Sequence, residues 1–202
     1  MPLMLATLDD ELELIGSFGE SVVVNVLTQA AEALNYAWLT HGVLHLDIKP
    51  SNILIKERDP LLIQIADWGI SRLVNDMNAQ SRSPIRGAGL LTREKSTAYL
   101  AGTYIYMAPE RFSGAWVLNP RADIYSLGML AIHLLRGTLP FRFGELDPLV
   151  EIQSGSYMNN AKTILSESTV ALRTLILQSI EPAPENRVPT FESLLCELRR
   201  LN

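Results

Sequence analysis

His45-Leu46-Asp47-Ile48-Lys49-Pro50-Ser51-Asn52 decides how this chain is read, because it sets an acid, a lysine and an amide along one short loop. Val43 to Leu44 stands just before the loop and Ile53 to Ile55 just after it, so two small strands present the polar residues. A third apolar run, Leu61 to Ala66, follows the turn-prone Arg58-Asp59-Pro60 and leads into Asp67-Trp68-Gly69. Asp67 stands fifteen residues beyond Asn52. Carboxylate and amide oxygens suit a hard cation such as Mg2+, and a carboxylate beside a lysine suits proton and phosphate chemistry. A lone Asp or Asn in a loop usually caps a turn. Four fixed positions in order, however, arise by accident on the order of once in a thousand chains, so the constellation outweighs its members.

Composition bounds the rest. With 202 residues, 48% hydrophobic and 19% charged, the chain can bury a sizeable core as one or two globular units. A net charge of -5 gives no general attraction to nucleic acid or anionic lipid, and neither partner is expected. The single cysteine, Cys196, has no internal partner, which fits a reducing, intracellular setting, cytoplasmic or nuclear. No positive residue precedes the N-terminal apolar stretch, and the apolar run from Met129 to Leu135 is short and interrupted by His133. No signal peptide or membrane segment is therefore expected.

Periodicity adds the helices. Ser21 to Thr40 carries Val22, Val23, Val26, Leu27, Ala30, Leu34 and Trp38 at helical spacing, with Ser21 as its N-cap. Further helical stretches run from Ala122 to Arg136, Thr169 to Ile180 and Phe191 to Leu201, separated by Gly and Pro. Between Leu73 and Leu100 the sequence is polar and aperiodic, with Gly87 and Gly89, and reads as a long mobile segment. The fold is expected to be mainly α with a few short β-strands.

The two motifs resemble the catalytic loop and the metal-binding triplet of eukaryotic-type protein kinases, H-R-D-x-x-x-x-N and D-F-G. Gly102-Thr103-Tyr104-Ile105-Tyr106-Met107-Ala108-Pro109-Glu110 resembles the family's substrate-docking loop with its A-P-E ending, and Asp123-Ile124-Tyr125-Ser126-Leu127-Gly128 the start of its buried central helix. Gly137-Thr138-Leu139-Pro140-Phe141 follows that helix as in kinases. The resemblance implies that Asp47 is the catalytic base, that Lys49 meets the transferring phosphoryl group, and that Asn52 and Asp67 hold Mg2+ on the phosphates of ATP. It also implies that Leu54 lies under the adenine, that Asp123 holds the catalytic loop by backbone hydrogen bonds, and that Arg187 pairs with Glu110. The similarity covers nearly all of residues 1–202, read as a partial kinase domain from hinge to last helix, with an activation segment at about 67–110.

Three departures bear on mechanism. Trp68 replaces the triplet's phenylalanine but keeps a large ring beside the acid. Leu46 stands where many relatives carry arginine, so a phosphate on the polar segment lacks its usual partner, and Ser96 and Thr97 rank low as phosphosites. The third departure is an absence: residues 1–48 contain no Lys or Arg, so no phosphate-binding strand lysine precedes the loop. Ile15-Gly16-Ser17-Phe18-Gly19-Glu20 looks like the end of a glycine-rich loop, yet fewer than thirty residues separate it from His45, too few for the missing sheet. By spacing from Asp47, Met1 to Met4 are expected at the family's hinge and Leu8 to Leu14 in the next short helix, so that Met1 is expected to be an internal methionine read as a start.

The first reading is the C-terminal lobe of a protein serine/threonine kinase without its N-terminal lobe, taking ATP, Mg2+ and a protein hydroxyl. Lys49 and Thr103 favour Ser or Thr acceptors, while Ser51 and His133 stand where arginine-directed kinases carry acids. The alternative is a non-catalytic, pseudokinase-like binding module whose partner covers apolar surface at the vacant face around Met1 to Met4, Leu54 and Trp68. A small-molecule phosphotransferase sharing an H-x-D loop is weaker, because Lys49, the A-P-E segment and Asp123 speak against it.

Overall fold

The computed structural model describes residues 6–68, 72–73, 104–112 and 119–201. In chain order these residues form β1 (Ala6–Thr7), α1 (Leu8–Ile15), α2 (Glu20–His41), β2 (Val43–Leu44), β3 (Ile53–Arg58), β4 (Leu61–Ile65) and β5 (Arg72–Leu73). They continue with α3 (Arg121–Arg136), α4 (Pro148–Ser154), α5 (Tyr157–Ile164), α6 (Val170–Ser179) and α7 (Phe191–Leu198). Met1 to Met4, Gly69, Ser96, Thr97, Gly102, Thr103 and most of the polar stretch from Leu73 to Leu100 lie outside the described residues.

The strands are short and antiparallel. One sheet has the order β1-β3-β4, with Thr7 opposite Leu54 and Leu54 opposite Gln64, and β2 pairs separately with β5. Ile53, Ile55 and Ile65 turn into the core while Gln64 faces out, the period-2 pattern of a half-buried sheet.

The helices supply most of the core. α1 opens with a capping box: Asp10 N–H donates to Thr7 Oγ1 at 3.1 Å and Thr7 N–H to Asp10 Oδ2 at 2.8 Å. α2 buries Val23, Val26, Leu27, Ala30, Leu34 and Ala37, an apolar stripe at helical spacing, and ends on Gly42 at φ +63°. Its N-cap is Gly19, not Ser21, which lies exposed in the first turn; no side-chain cap bond forms there.

α3 is the axle of the fold. Every residue from Ala122 to Leu135 except His133 is buried, as expected of a helix surrounded by other elements. A Cβ on Gly128 would stand 2.6 Å from Ile180 Cγ2 and 3.0 Å from Ser179 Cβ, so the glycine lets the end of α6 lie directly on α3. The segment from Ile15 to Glu20 that resembled a glycine-rich loop is the link between α1 and α2, tied down by Phe18 N–H to Leu134 O at 2.7 Å.

Two helices depart from the sequence reading, which placed none between Gly137 and Thr169. α4 is seven residues long, and α5 buries only Tyr157 and Ala161, too few for a period to register. α6 and α7 are shorter than expected, the latter ending at Leu198. Among the described residues no helix is long and apolar enough to cross a membrane.

Candidate active site

The loop between β2 and the turn Pro50–Asn52 is held from beneath by α3. Asp123, in the first turn of that helix and fully buried, accepts from His45 N–H at 2.8 Å and from Leu46 N–H at 2.7 Å, one backbone donor per carboxylate oxygen. Burial pushes the Asp123 carboxyl up, and the two N–H groups, then His45 and Arg111, pull it back. Leu46 itself adopts φ +66°, a conformation L-residues rarely occupy. Its N–H is taken by Asp123 and its carbonyl by Arg111 Nη1, so the strained residue is gripped on both sides.

The strain turns the loop so that Asp47 meets its neighbours. Asp47 Oδ2 lies 3.0 Å from Lys49 Nζ and accepts from Asn52 Nδ2 at 2.9 Å. Asn52 Nδ2 also donates to the Asp47 carbonyl at 2.8 Å, so the amide nitrogen is committed and Oδ1 is left as the ligand-type atom of Asn52. Three of the expected site residues are thus brought together, with Asp47 and Asn52 buried and Lys49 half-buried. The same contacts orient Asp47 through one oxygen and leave Oδ1 as the other acceptor.

Asp67 arrives from β4 by a second set of contacts. Ala66 N–H donates to Asn52 O at 2.9 Å, and His45 Nε2 lies 2.9 Å from Ala66 O. Asp47 N–H donates to His45 Nδ1 at 3.2 Å, so the imidazole satisfies both partners only with its proton on Nε2. Asp67 is exposed and takes φ +60°; Trp68 is half-buried, its ring edge-on to His45 at 4.7 Å and 68°. Leu54 is half-buried on β3, on the sheet face it shares with Gln64 and Thr7.

A hard cation fits these donors. Among the described residues no group of three His, Cys, Asp or Glu could hold a metal. Mg2+, however, needs only one or two protein oxygens beside phosphate and water, and the Asp67 carboxylate with the Asn52 Oδ1 meets that need.

The supporting ion pair also forms. Arg187 is fully buried and donates to both oxygens of Glu110, Nη1 to Oε1 at 2.7 Å and Nη2 to Oε2 at 2.8 Å. It also reaches the carbonyls of Glu181, Pro182 and Arg121, and it lies over the Tyr125 ring at 4.9 Å. This fork ties the turn Pro109–Phe112 to the segment before α7, a use suited to a planar guanidinium.

Other contacts have no counterpart in the sequence reading. The Tyr106 hydroxyl and His133 Nδ1 share a hydrogen bond at 2.5 Å, and Ser126 Oγ–H donates to the Tyr106 carbonyl at 2.8 Å, so the loop before Pro109 is docked on α3. The apolar face expected around Leu54 and Trp68 is only half-open. Among the described residues, the most exposed large apolar side chains are elsewhere, Leu14 at 79% and Val170 at 68%.

The family model described as protein kinase domain matches residues 2–197. Serine/threonine-protein kinase Pkn1 of Myxococcus xanthus is 32% identical over 82% of this chain, and serine/threonine-protein kinase PknB of Mycobacterium leprae 28% identical over 98%. The chain spans 22% and 29% of the length of those two relatives. The solved structure of Rad53 1-466 in complex with AMP-PNP has a TM-score of 0.68 at 27% identity, covering 94% of this chain and 43% of that one. Matched by the family's domain over almost its full length, the chain belongs to the protein kinase domain family.

Proposed function

We propose that this chain is the C-terminal lobe of a protein serine/threonine kinase and works in transfer of the γ-phosphate of ATP to a Ser or Thr hydroxyl of a protein. Residues 1–202 then form a partial kinase domain from hinge to last helix, with the activation segment at about 67–110. The observation that carries the reading is the arrangement around Asp47, whose Oδ2 is fixed by Lys49 and Asn52 while Asp123 clamps the loop from below.

In this reading the acceptor hydroxyl bonds to Asp47 Oδ1, which orients it and takes its proton late in the transfer. Lys49 lies beside that carboxylate and balances charge on the moving phosphoryl group. Asn52 Oδ1 and the Asp67 carboxylate hold Mg2+, which when bound neutralises charge on the phosphates. Leu54 takes the adenine ring on the sheet face. His45 is a positioning residue, since its ring joins the Asp47 backbone to Ala66, the residue before Asp67.

Calorimetry of ATP with Mg2+ on the 202-residue chain tests the proposal. Mg2+-dependent binding that Asp67→Ala abolishes is expected, together with transfer to a Ser/Thr peptide mixture that Asp47→Asn reduces by at least about a hundredfold. No Mg2+-dependent binding at millimolar ATP would overturn nucleotide handling by this lobe unaided and leave either a kinase lobe that needs its N-terminal lobe or the binding-module reading.

A further inference from the structure

We propose that Arg111 is a positioning residue that ties the turn Pro109–Phe112 to the backbone of the Asp47 loop, so that the seating of the turn sets where the Asp47 carboxylate stands; the inference rests on the catalytic reading of Asp47. Arg111 is buried, at 7% exposure, and donates through Nη1 to Leu46 O, a carbonyl 65 positions away in the chain. Leu46 O and Asp47 N–H lie in one rigid peptide plane. The opposite edge of that plane is bonded as well, because Asp47 N–H donates to His45 Nδ1 at 3.2 Å. The plane from which the Asp47 side chain departs is therefore held by Arg111 on one edge and by His45 on the other.

The backbone there needs holding. Leu46 sits at φ +66°, where an L-residue without support relaxes toward negative φ, and that rotation would swing its carbonyl and the Asp47 plane together. Asp123 fixes only the N–H of Leu46. Residues 45–48 include no Lys or Arg, and Lys49 is paired with Asp47, so the charged donor for the carbonyl comes from outside the loop. Its source is itself anchored: Arg187 forks both oxygens of Glu110, and Arg111 N–H donates to Ala108 O at 3.0 Å. Burial pushes the Asp123 carboxyl up and the Arg111 charge is among the contacts that pull it back, so one guanidinium serves both the carbonyl and the acid beneath the loop. A charged donor bonds a carbonyl about twice as strongly as a neutral one, which suits a backbone under strain.

The test uses the 202-residue chain and two changes at one position: Arg111→Met, and replacement of Arg111 by citrulline, which keeps the outline of the side chain without its charge. Two measurements are made without ligand, amide hydrogen exchange at Asp47 and the 15N resonance of His45 Nδ1, which reports whether Asp47 N–H still donates to it. Arg111→Met should speed exchange at Asp47 by about ten- to hundredfold, the factor a hydrogen bond from a charged group is worth, and citrulline by about three- to tenfold. The His45 Nδ1 resonance should move toward that of a nitrogen without a donor, further in Arg111→Met than with citrulline. Exchange in α2 should not change, whereas a general loss of stability would speed it too. If Arg111→Met fails to fold, the citrulline chain carries the comparison, because its shape is that of the native side chain. Exchange at Asp47 within twofold of the unmodified chain, or a His45 resonance that stays in place, overturns the proposal. Transfer to a Ser/Thr peptide mixture is measured on the unmodified chain alongside. Its absence overturns unaided catalysis through Asp47, while the exchange and nitrogen readouts still decide the role of Arg111.

Discussion

Replacing Asp123 by Asn changes a single atom type at the point where α3 grips the catalytic-type loop. The native carboxylate accepts from His45 N–H and Leu46 N–H at 2.8 and 2.7 Å in a fully buried setting. An amide can accept from only one of them and turns an NH2 group toward the other. The loss is one charge-assisted hydrogen bond, about 1.5–3 kcal/mol, plus a buried N–H without an acceptor, about 1–3 kcal/mol. Two effects oppose this: the neutral amide is cheaper to bury than a carboxylate, and Leu46 is freed from its φ of +66°. The expected net destabilisation is about 2–4 kcal/mol, a large share of the roughly 5–15 kcal/mol that holds a domain together. Asp123→Ala, which removes both acceptors, should exceed Asp123→Asn. Urea unfolding followed by circular dichroism measures both, and an unchanged m-value would show that the same surface is still buried. Hydrogen exchange at the His45 and Leu46 amides locates the effect. A difference under about 0.5 kcal/mol for both variants, or unchanged protection at those two amides, would refute the claim that Asp123 holds the loop.

Gly137→Ala should be severely destabilising, by about 3 kcal/mol, because its φ is +65° and the new Cβ would lie 2.2 Å from Gly16 O, a backbone atom without room to move. Gly16→Ala is the control, for at φ +81° its Cβ meets nothing within 4 Å and only the backbone strain of about 1–2 kcal/mol applies, without the clash; equal losses in thermal unfolding would contradict this. A pH effect is expected at His133, which burial holds below the ordinary histidine value against the opposing charge of Asp9. A histidine whose folded value is depressed contributes stability above its unfolded value near 6.5, and that stability is lost as pH falls through the folded value. The unmodified chain should therefore lose stability relative to His133→Gln as pH drops from about 7 toward 5, and a constant difference across that range would exclude the linkage.

Much of this architecture was legible residue by residue. The apolar stripe of α2 repeats often enough over 22 residues to declare a helix, and α3 reads as helical from the run of apolar residues around Ile124 to Leu135. α4 and α5 left no such trace, since α4 buries one apolar residue, Ile152, and α5 only Tyr157 and Ala161; the Asp147-Pro148 start of α4 is the cue that could have found it, with Asp147 Oδ1 accepting from Leu149 N–H at 2.9 Å. Of the site, Asp47, Lys49 and Asn52 lie within six residues, and their mutual contacts follow from one turn of chain.

Residue order alone therefore determined which chemical groups stand close in the chain, where the long helices run and which acids are candidates, because short-range periodicity and loop composition act over a few residues. Only the tertiary structure decided how those groups are held. Asp123 meets His45 across 78 positions, Arg187 meets Glu110 across 77, and the Tyr106 hydroxyl finds His133 because α3 is buried on nearly every side and brings distant segments to one axis. A short backbone return, Trp68 to Ile65, was equally hidden, because it depends on the φ of +60° at Asp67 that no local rule assigns to an aspartate. Such contacts depend on the packing of apolar side chains between the elements, and a pattern read along one strand of sequence carries no distance between residues that only a folded core brings together.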